Sequence, residues 1–278
     1  MSFSVESMLS LLIFCSPLLL ASMGALISER SGHSAIFMEG IINAGAFACF
    51  AFTHATSSRI AGAVLALVFV TVLFRIIFRA VLSSNSNEFI VYLALNLLSG
   101  ALISLFSFVI FKSRGVLQQT LENQNIFVIR LVTAAASYSI SALLVTFLHA
   151  TDTGLKLRIT GTDKALLKIQ KVDTTRLELM ALTIAAFCGC ACGCVLTNRM
   201  QAFVPNIASG SGWLALAAVF LGKKNTALTI VAVFIFSIAQ FAATNIQNFT
   251  TFQAVPSSLL LALPYLIALF CISIRSKS

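Results

Sequence analysis

Several polar side chains lie inside apolar segments, where a polar group is costly unless it faces a cavity or a partner. Glu39 lies just inside the second apolar segment, and Asn43 follows one turn later on the same helical face. Asn96 lies in the middle of the fourth segment and Gln240 in the eighth. Hydrogen bonding between helices is the structural alternative for each of them. With Trp213, they are the candidates for lining a solute path.

The sequence CGCACGC, over residues 188–194, has the composition of a metal site. Residues two apart on a helix point to opposite sides, so four thiolates of one helix cannot surround one zinc ion. Gly189 and Gly193 instead form a small-xxx-small surface, which favours close packing of two helices. We therefore expect packing here, and no metal.

No catalytic pattern accompanies these residues. His33, His54 and His149 lie at predicted membrane borders without an HExxH motif, which argues against an intramembrane enzyme. A Gly-x4-Gly-Lys-Ser/Thr loop is also absent from the sequence, so this chain cannot bind and hydrolyse ATP through a Walker site of its own. We expect no catalytic residue and no cofactor bound by this chain.

Composition identifies the environment of these residues. Of the 278 residues, 59% are hydrophobic and 10% are charged, and the mean hydropathy is +0.98. A soluble domain carries roughly a quarter charged residues, so lipid must cover this surface. The net charge of +9 sets membrane topology in such a chain and does not indicate nucleic-acid binding. The prediction is an all-α polytopic membrane protein with a single transmembrane domain over residues 1–278.

A membrane span needs about 20 mostly apolar residues. About nine segments qualify, within a range of eight to ten: 8–27, 36–56, 60–82, 89–111, 126–150, 177–198, 203–222, 227–246 and 257–274. The seventh is doubtful as a simple span, because Pro205, Asn206, Gly210 and Gly212 interrupt it. Its uninterrupted part, from Trp213 to Gly222, is too short to cross alone.

Basic residues set the orientation of such a chain. With the loop 151–176 inside, thirteen of the 18 lysines and arginines fall on the inner side and five on the outer side. This count favours an outside N-terminus and a cytoplasmic C-terminus.

The loop 151–176 is the longest polar stretch. Thr162 or Asp163 is expected to cap a short helix that ends near Lys171, with an apolar stripe on one side and lysines on the other. Such a segment is either a solvated basic loop or a docking helix for a cytoplasmic partner.

Two interrupted segments stand at corresponding places, Gly24–Gly45 and Ala208–Gly222. Transporters place broken helices at matching positions in their two halves, with the substrate site between them. In the topology above the first turn faces inward and the second outward, so inverted repeats of about four spans each are expected.

Four stretches resemble, in order, the permeases that serve nucleoside ABC importers, which are related to simple-sugar and branched-chain amino-acid permeases. They are PLLLASMGALISERSGHSAIFMEGIINAGAF (17–47), ALNLLSGALISLF (94–106), GLKLRITGTDKA (154–165) and FVPNIASGSGWLALAAVFLG (203–222). The sequence departs from the family pattern at residues 35–37, at the central Ser211 of Gly-Ser-Gly, and at Gln170 and Lys171.

The resemblance implies an importer subunit of the bacterial inner membrane that has no energy source of its own. A periplasmic or lipoprotein binding protein would deliver the solute, a second permease subunit would complete the path, and cytoplasmic ATPases would use ATP. The loop 151–176 is then the cytoplasmic coupling loop. The residues that the resemblance assigns to ATPase coupling are Gly161, Asp163, Lys164, Ala165 and Lys168.

A nucleoside-like solute is the first expectation, with riboflavin or a simple sugar as alternatives within the same class. An ion-coupled secondary transporter is a further alternative. It would need a carboxylate near the midplane to bind the coupling ion, and the sequence offers only Glu39.

Overall fold

A computed structural model describes residues 5–84, 86–113, 115–118 and 125–246. Within these ranges the chain is almost entirely helical, which confirms the predicted all-α polytopic architecture. The helices are α1 (Val5–Arg30), α2 (Met38–Thr56), α3 (Arg59–Ser83), α4 (Glu88–Phe111), α5 (Ile126–Ala150), α6 (Asp152–Thr160), α7 (Lys164–Ile169), α8 (Thr174–Met200), α9 (Ser211–Leu221) and α10 (Thr226–Ile246). A 3-10 helix (Ala35–Phe37) precedes α2, and two short strands, β1 (Leu117–Gln118) and β2 (Ala202–Phe203), complete the set.

Seven of these helices are long and apolar enough to cross a membrane: α1, α2 with its 3-10 turn, α3, α4, α5, α8 and α10. The predicted count of about nine is therefore not confirmed. The predicted span 203–222 contains only the short helix α9, and the predicted span 257–274 lies outside the described residues.

Helix starts are fixed by polar side chains that accept hydrogen bonds from the first free backbone amides of the helix. The side chains that do so are Ser58, Asn87, Asn125, Thr151 and Asp173. Because these residues interrupt apolar runs, they divide the hydrophobic sequence into separate spans.

The core of the bundle consists of α1, α2 and α8, which are mostly buried, whereas α3, α4 and α5 expose most of their residues. The exposed side chains of these outer helices are largely Val, Leu, Ile and Phe, as expected of a lipid-facing surface. Small and hydroxyl-bearing residues lie inside, among them Ser22, Thr197 and Cys192. Close packing of small residues therefore holds the centre together.

The contact between α2 and α8 depends on glycine. A Cβ atom on Gly193 would lie 2.2 Å from the carbonyl oxygen of Ile42, and one on Gly45 would lie 2.6 Å from the Cα of Cys190. Gly189 meets the side chains of Met38 and Ile41 in the same way. The predicted packing role of the glycines within 188–194 is confirmed, and the four cysteines of this segment are buried free thiols.

The two ends of the bundle differ in charge. Arg30, Lys164 and Lys224 lie at one end, where Gly161 packs on the backbone of Arg30 and the Lys224 ammonium reaches Glu29. We call this the basic end. Strands β1 and β2 pair antiparallel at the opposite end. The structure thus places these three residues, all of which the charge count assigned to the inner side, at one end.

The segment 203–224 crosses the bundle in two unlike pieces. It leaves β2 at the end away from the basic end and runs irregularly to Gly210. It then continues as α9 to Leu221, and a turn carries it to Lys224 at the basic end. Gly210, in the second of the two interrupted segments, lies against α2, where its backbone amide donates to Glu39. By contrast, the break expected between Gly24 and Gly45 is confined to residues 31–37, since α1 continues without interruption to Arg30.

We predict opposite effects for the same substitution at two helical glycines. Gly193→Ala should lower stability by about 1–3 kcal/mol, because the added methyl group meets the backbone of α2. Gly100→Ala on α4 meets no atom within 4 Å and should be neutral or stabilising by up to about 1 kcal/mol. Thermal unfolding of the purified variants in detergent measures both changes, and equal shifts would contradict the assigned α2–α8 contact.

Candidate functional site

Glu39, in the first turn of α2, caps the N-terminal end of α9, the helical part of the interrupted segment 203–224. One carboxylate oxygen accepts a hydrogen bond from the backbone amide of Gly210 at 2.7 Å, and the other accepts one from the amide of Gly212 at 2.8 Å. These amides stand at the start of α9, where a helix has unpaired donors and a partial positive charge. Because both oxygens already have partners, Glu39 positions α9 and does not present a free carboxylate.

Asn43 holds the residues that precede α9. Its side-chain oxygen accepts a hydrogen bond from the amide of Ala208 at 3.0 Å, and its amide group donates to the side-chain oxygen of Asn206 at 3.2 Å. The predicted shared face of Glu39 and Asn43 therefore exists, and both side chains reach one segment. We call residues 206–212 the capped turn.

The two glycines of the capped turn are required by its geometry. Gly210 has φ of 85°, a left-handed conformation that favours glycine. A Cβ atom on Gly212 would lie 2.4 Å from the backbone nitrogen of Glu39. The turn can therefore approach α2 closely enough for the carboxylate to reach two amides.

The other predicted path residues lie around this turn at different places. Asn96 on α4 packs against Gly40, where a Cβ atom would lie 3.0 Å from the Asn96 side-chain oxygen. That oxygen is buried and has no hydrogen-bond partner among the described residues. Gln240 lies on the other side, in a cavity of about 120 Å³ that Ser211 and Pro17 also line. Trp213 points outward from α9 and is 42% exposed.

The structure thus brings Glu39, Asn43 and Asn96 together at the start of α2. Gln240 reaches only the neighbouring cavity, which lies in the half of the bundle away from the basic end, beside Arg199. Of the predicted path residues, Trp213 is the one most exposed to the surroundings.

The predicted coupling loop contains two short helices, α6 and α7. Asp163 accepts hydrogen bonds from the amides of Ala165 and Leu166 and so caps α7, one of the two caps predicted from the sequence. Ala165, Leu166 and Ile169 are exposed, and the side chain of Ile169 is 82% exposed. Lys168 belongs to α7 by its backbone. The helix α6, capped by Thr151, is an addition that the sequence did not predict.

The predicted coupling loop, residues 151–176, packs on the segment between α1 and α2. A Cβ atom on Gly161 would lie 2.2 Å from the carbonyl oxygen of Arg30 and 3.1 Å from the nitrogen of Gly32. Gly161 therefore lets two backbones touch. This contact places the predicted coupling residues directly beside residues 28–34, which we call the signature turn.

A row of four titratable side chains, of which the central two are buried, joins the same elements. Lys164, the first residue of α7, lies 2.8 Å from one carboxylate oxygen of Glu178, and His33 lies 3.4 Å from the other. The second ring nitrogen of His33 contacts Glu88 at the start of α4. His33 and Glu178 are nearly inaccessible, whereas the side chains of Lys164 and Glu88 are 48% and 40% exposed. We call these four residues the inner charge chain.

The sequence analysis did not predict the inner charge chain. It placed His33 at a membrane border without a partner, and it did not single out Glu178 or Glu88. The available signal was Glu178, a carboxylate one residue inside an apolar segment, which is costly unless it is paired. The fact that its two partners are Lys164 of α7 and His33 of the signature turn is visible only in the structure.

The end of α9 is also tied to the signature turn. The Lys224 ammonium pairs with the Glu29 carboxylate at 3.1 Å and donates to the Glu29 carbonyl at 3.0 Å, and the Arg30 side chain donates to the carbonyl of Lys224 at 2.8 Å. Both ends of α9 are therefore held by residues between 29 and 43. Within the described ranges, no group of three or more His, Cys, Asp or Glu side chains is placed to bind a metal ion.

Comparison with known proteins identifies relatives of this protein. The profile of the family described as branched-chain amino acid transport system / permease component matches residues 7–269. The guanosine ABC transporter permease protein NupQ of Bacillus subtilis is 22% identical over 284 residues, which cover 94% of this chain and 89% of the relative. The putative glucose ABC transporter permease protein TsgC13 of Haloferax volcanii is 26% identical over 235 residues, covering 80% of this chain and 71% of the relative.

Among solved structures, PsaBC from Streptococcus pneumoniae in complex with Fab is similar, with a TM-score of 0.53 and 13% sequence identity. The match covers 94% of this chain and 88% of the other. At this identity the comparison shows a shared fold.

We predict that Glu39→Ala lowers thermal stability while the protein still inserts into the membrane. Two amides of the capped turn would lose their acceptor, at about 1–3 kcal/mol each. Glu39→Gln keeps one acceptor oxygen and should lose less. Glu6→Ala, which removes an exposed carboxylate from α1, is the control. Unfolding midpoints in detergent that are equal for Glu39→Ala and Glu6→Ala would contradict the cap.

We also predict a pH-dependent stability that originates at His33. Burial lowers the pKa of His33, but Glu178 and Glu88 outweigh burial, so the pKa is raised above its usual 6.5. A raised pKa in the folded protein means that the stabilisation is complete below about pH 6.5 and is lost as the pH rises through the folded-state pKa.

The measurement is the unfolding midpoint from pH 5 to pH 9 for the wild type and His33→Gln, a pH range set around the reference pKa of about 6.5. The wild type should lose stability relative to the variant as the pH rises. Parallel profiles would show that His33 does not form the charged contacts described.

Proposed function

Because this chain belongs to the branched-chain amino acid transport system / permease component family, we propose that it is the permease subunit of an ABC importer for a nucleoside-like solute. The observation that carries the proposal is the family match over residues 7–269, nearly the whole chain. The relative named as a guanosine permease aligns with 94% of this chain, which supports a nucleoside as the solute.

A simple sugar is the second candidate, because another relative is named as a putative glucose permease. An ion-coupled secondary transporter has less support. It would use a carboxylate within the membrane to bind its ion. Both oxygens of Glu39 instead accept hydrogen bonds from backbone amides.

In the proposed mechanism the capped turn closes the path. The cavity beside Gln240 measures about 120 Å³, and Ser211 at the start of α9 is one of its lining residues. Ligand sites are roughly 300–1,000 Å³ in volume, so a solute needs this region to open. Glu39 and Asn43 hold the closed geometry, Asn96 approaches it from α4, and Trp213 extends outward from it, toward the proposed second permease subunit.

Energy would come from separate ATPase subunits that contact the basic end, which then faces the cytoplasm. Gly161 and Asp163 shape the contact, since one docks the loop and the other caps α7. Ala165, Leu166 and Ile169 form the exposed face that a partner would cover. A binding protein, periplasmic or lipid-anchored, would deliver the solute at the opposite end, and the assembly would reside in the cytoplasmic membrane of a bacterium.

Reconstitution tests the proposal. The chain, its partner permease, the ATPase and the binding protein are incorporated into proteoliposomes, and uptake of labelled guanosine and glucose is measured with and without ATP. ATP-dependent guanosine accumulation is expected. Glucose accumulation alone would favour the second candidate, whereas accumulation by the isolated chain on a proton or sodium gradient would contradict the importer.

Docking of the ATPase is tested by Ile169→Asp, which places a charge on the exposed apolar face of α7. Co-purification with the ATPase should fall at least about tenfold, equivalent to about 1.4 kcal/mol. Ile169→Leu keeps the face apolar and serves as the matched control. Unchanged co-purification of Ile169→Asp would remove α7 from the proposed interface.

A further inference from the structure

We propose that the inner charge chain (Lys164, Glu178, His33 and Glu88) positions α7 on the signature turn, so that movement of α7 reaches the broken helix α9 through that turn. This inference rests on the proposed function, because it assumes that an ATPase moves α7. It assigns a role to His33 and Glu178, whose side chains are nearly inaccessible and lie outside the proposed docking surface.

The first step of the connection runs from α7 to the signature turn. Lys164 pairs with one oxygen of Glu178 at 2.8 Å, and His33 of the turn lies 3.4 Å from the other. Gly161 and Gly32 bring the two backbones together beside this pair, with a Gly161 Cβ position 3.1 Å from the Gly32 nitrogen. Movement of α7 must therefore either displace the turn or break these contacts.

The second step runs from the signature turn to α9. Glu29 and Arg30 hold Lys224 beyond the C-terminal end of α9. Glu39, a few residues after the turn, holds the amides at its N-terminal end. Because α9 has both ends fixed to this one stretch of chain, displacement of the stretch displaces α9 as a unit.

The connection between α7 and the signature turn depends on each of the charged side chains that form it. Glu178 is almost fully buried and lies between the Lys164 ammonium and the His33 ring, which carries a charge only when it is protonated. Removing one partner from a buried ion pair leaves an uncompensated charge, whereas the intact arrangement fixes the geometry of all its members. His33 adds α4 to the unit through Glu88. The arrangement therefore joins α7, the signature turn, α8 and α4.

A coupling claim requires a measurement of coupling. The readout is the number of solute molecules transported per ATP hydrolysed by the reconstituted complex, with co-purification of the ATPase as a check on assembly. A variant that merely folds less well lowers transport and hydrolysis together and leaves this ratio unchanged.

Glu178→Gln keeps the side-chain shape and removes the charge, and the buried position of Glu178 keeps it from the ATPase surface. We expect normal assembly and a ratio lowered at least about fivefold, the lower end of typical allosteric coupling factors. Lys164→Met should have the same effect, since it removes the other charge of the 2.8 Å pair. Lys164→Arg keeps the cation and should restore most of the ratio.

Lys171→Met is the matched control, because Lys171 is an exposed lysine that follows α7. It should keep the wild-type ratio. Retention of that ratio by either assembled variant, Glu178→Gln or Lys164→Met, overturns the inference. So does a Lys164→Met protein that no longer binds the ATPase, since Lys164 would then belong to the docking contact.

Different results would contradict the importer function and the role of the inner charge chain. A wild-type complex that does not assemble, or that takes up solute without ATP, contradicts the importer. A wild-type complex that couples ATP to uptake, together with variants that couple equally well, contradicts only the role of the inner charge chain.

Discussion

The bond between the Glu39 carboxylate and the amides of Gly210 and Gly212 is the interaction on which this architecture depends. A chain that crosses a membrane must satisfy every backbone donor without water, and continuous helices do so automatically. The segment 203–222 is not a continuous helix, because its backbone is irregular between β2 and Gly210 and becomes helical only from Ser211. The carboxylate supplies the missing acceptors, and Asn43 supplies another at Ala208. The broken crossing is stable because α2 carries these two side chains one turn apart.

The rest of the bundle makes that contact possible. Glycines at the α2–α8 interface let the backbones approach closely, which fixes the position of α2 in the core. The outer helices contribute apolar surface and few buried contacts. At the basic end, ion pairs connect the signature turn, α7, α8 and the end of α9. The molecule therefore has a tightly packed centre with polar connections at the places where chain segments are interrupted.

Much of the fold could be predicted from the sequence, because apolar runs of 20 residues and the caps between them depend only on local composition. The irregular crossing was marked by Pro205 and its neighbouring glycines, and the common face of Glu39 and Asn43 followed from helical spacing. What those side chains contact could not be predicted, since the capped turn lies about 170 residues away. The same reason hid the partners of His33, whose charges come from α4 and α8.

The separation of 171 residues between Glu39 and Gly210 has a consequence for biosynthesis. Ribosomes add about 5–20 residues per second, so the second span enters the bilayer roughly 10–30 s before its acceptors' partners exist. During that interval a carboxyl group inside the nascent bundle has no native hydrogen-bond donors. Folding of this protein therefore includes an interval in which Glu39 lacks its native donors, and the interval ends only when residues 210–212 have been synthesised.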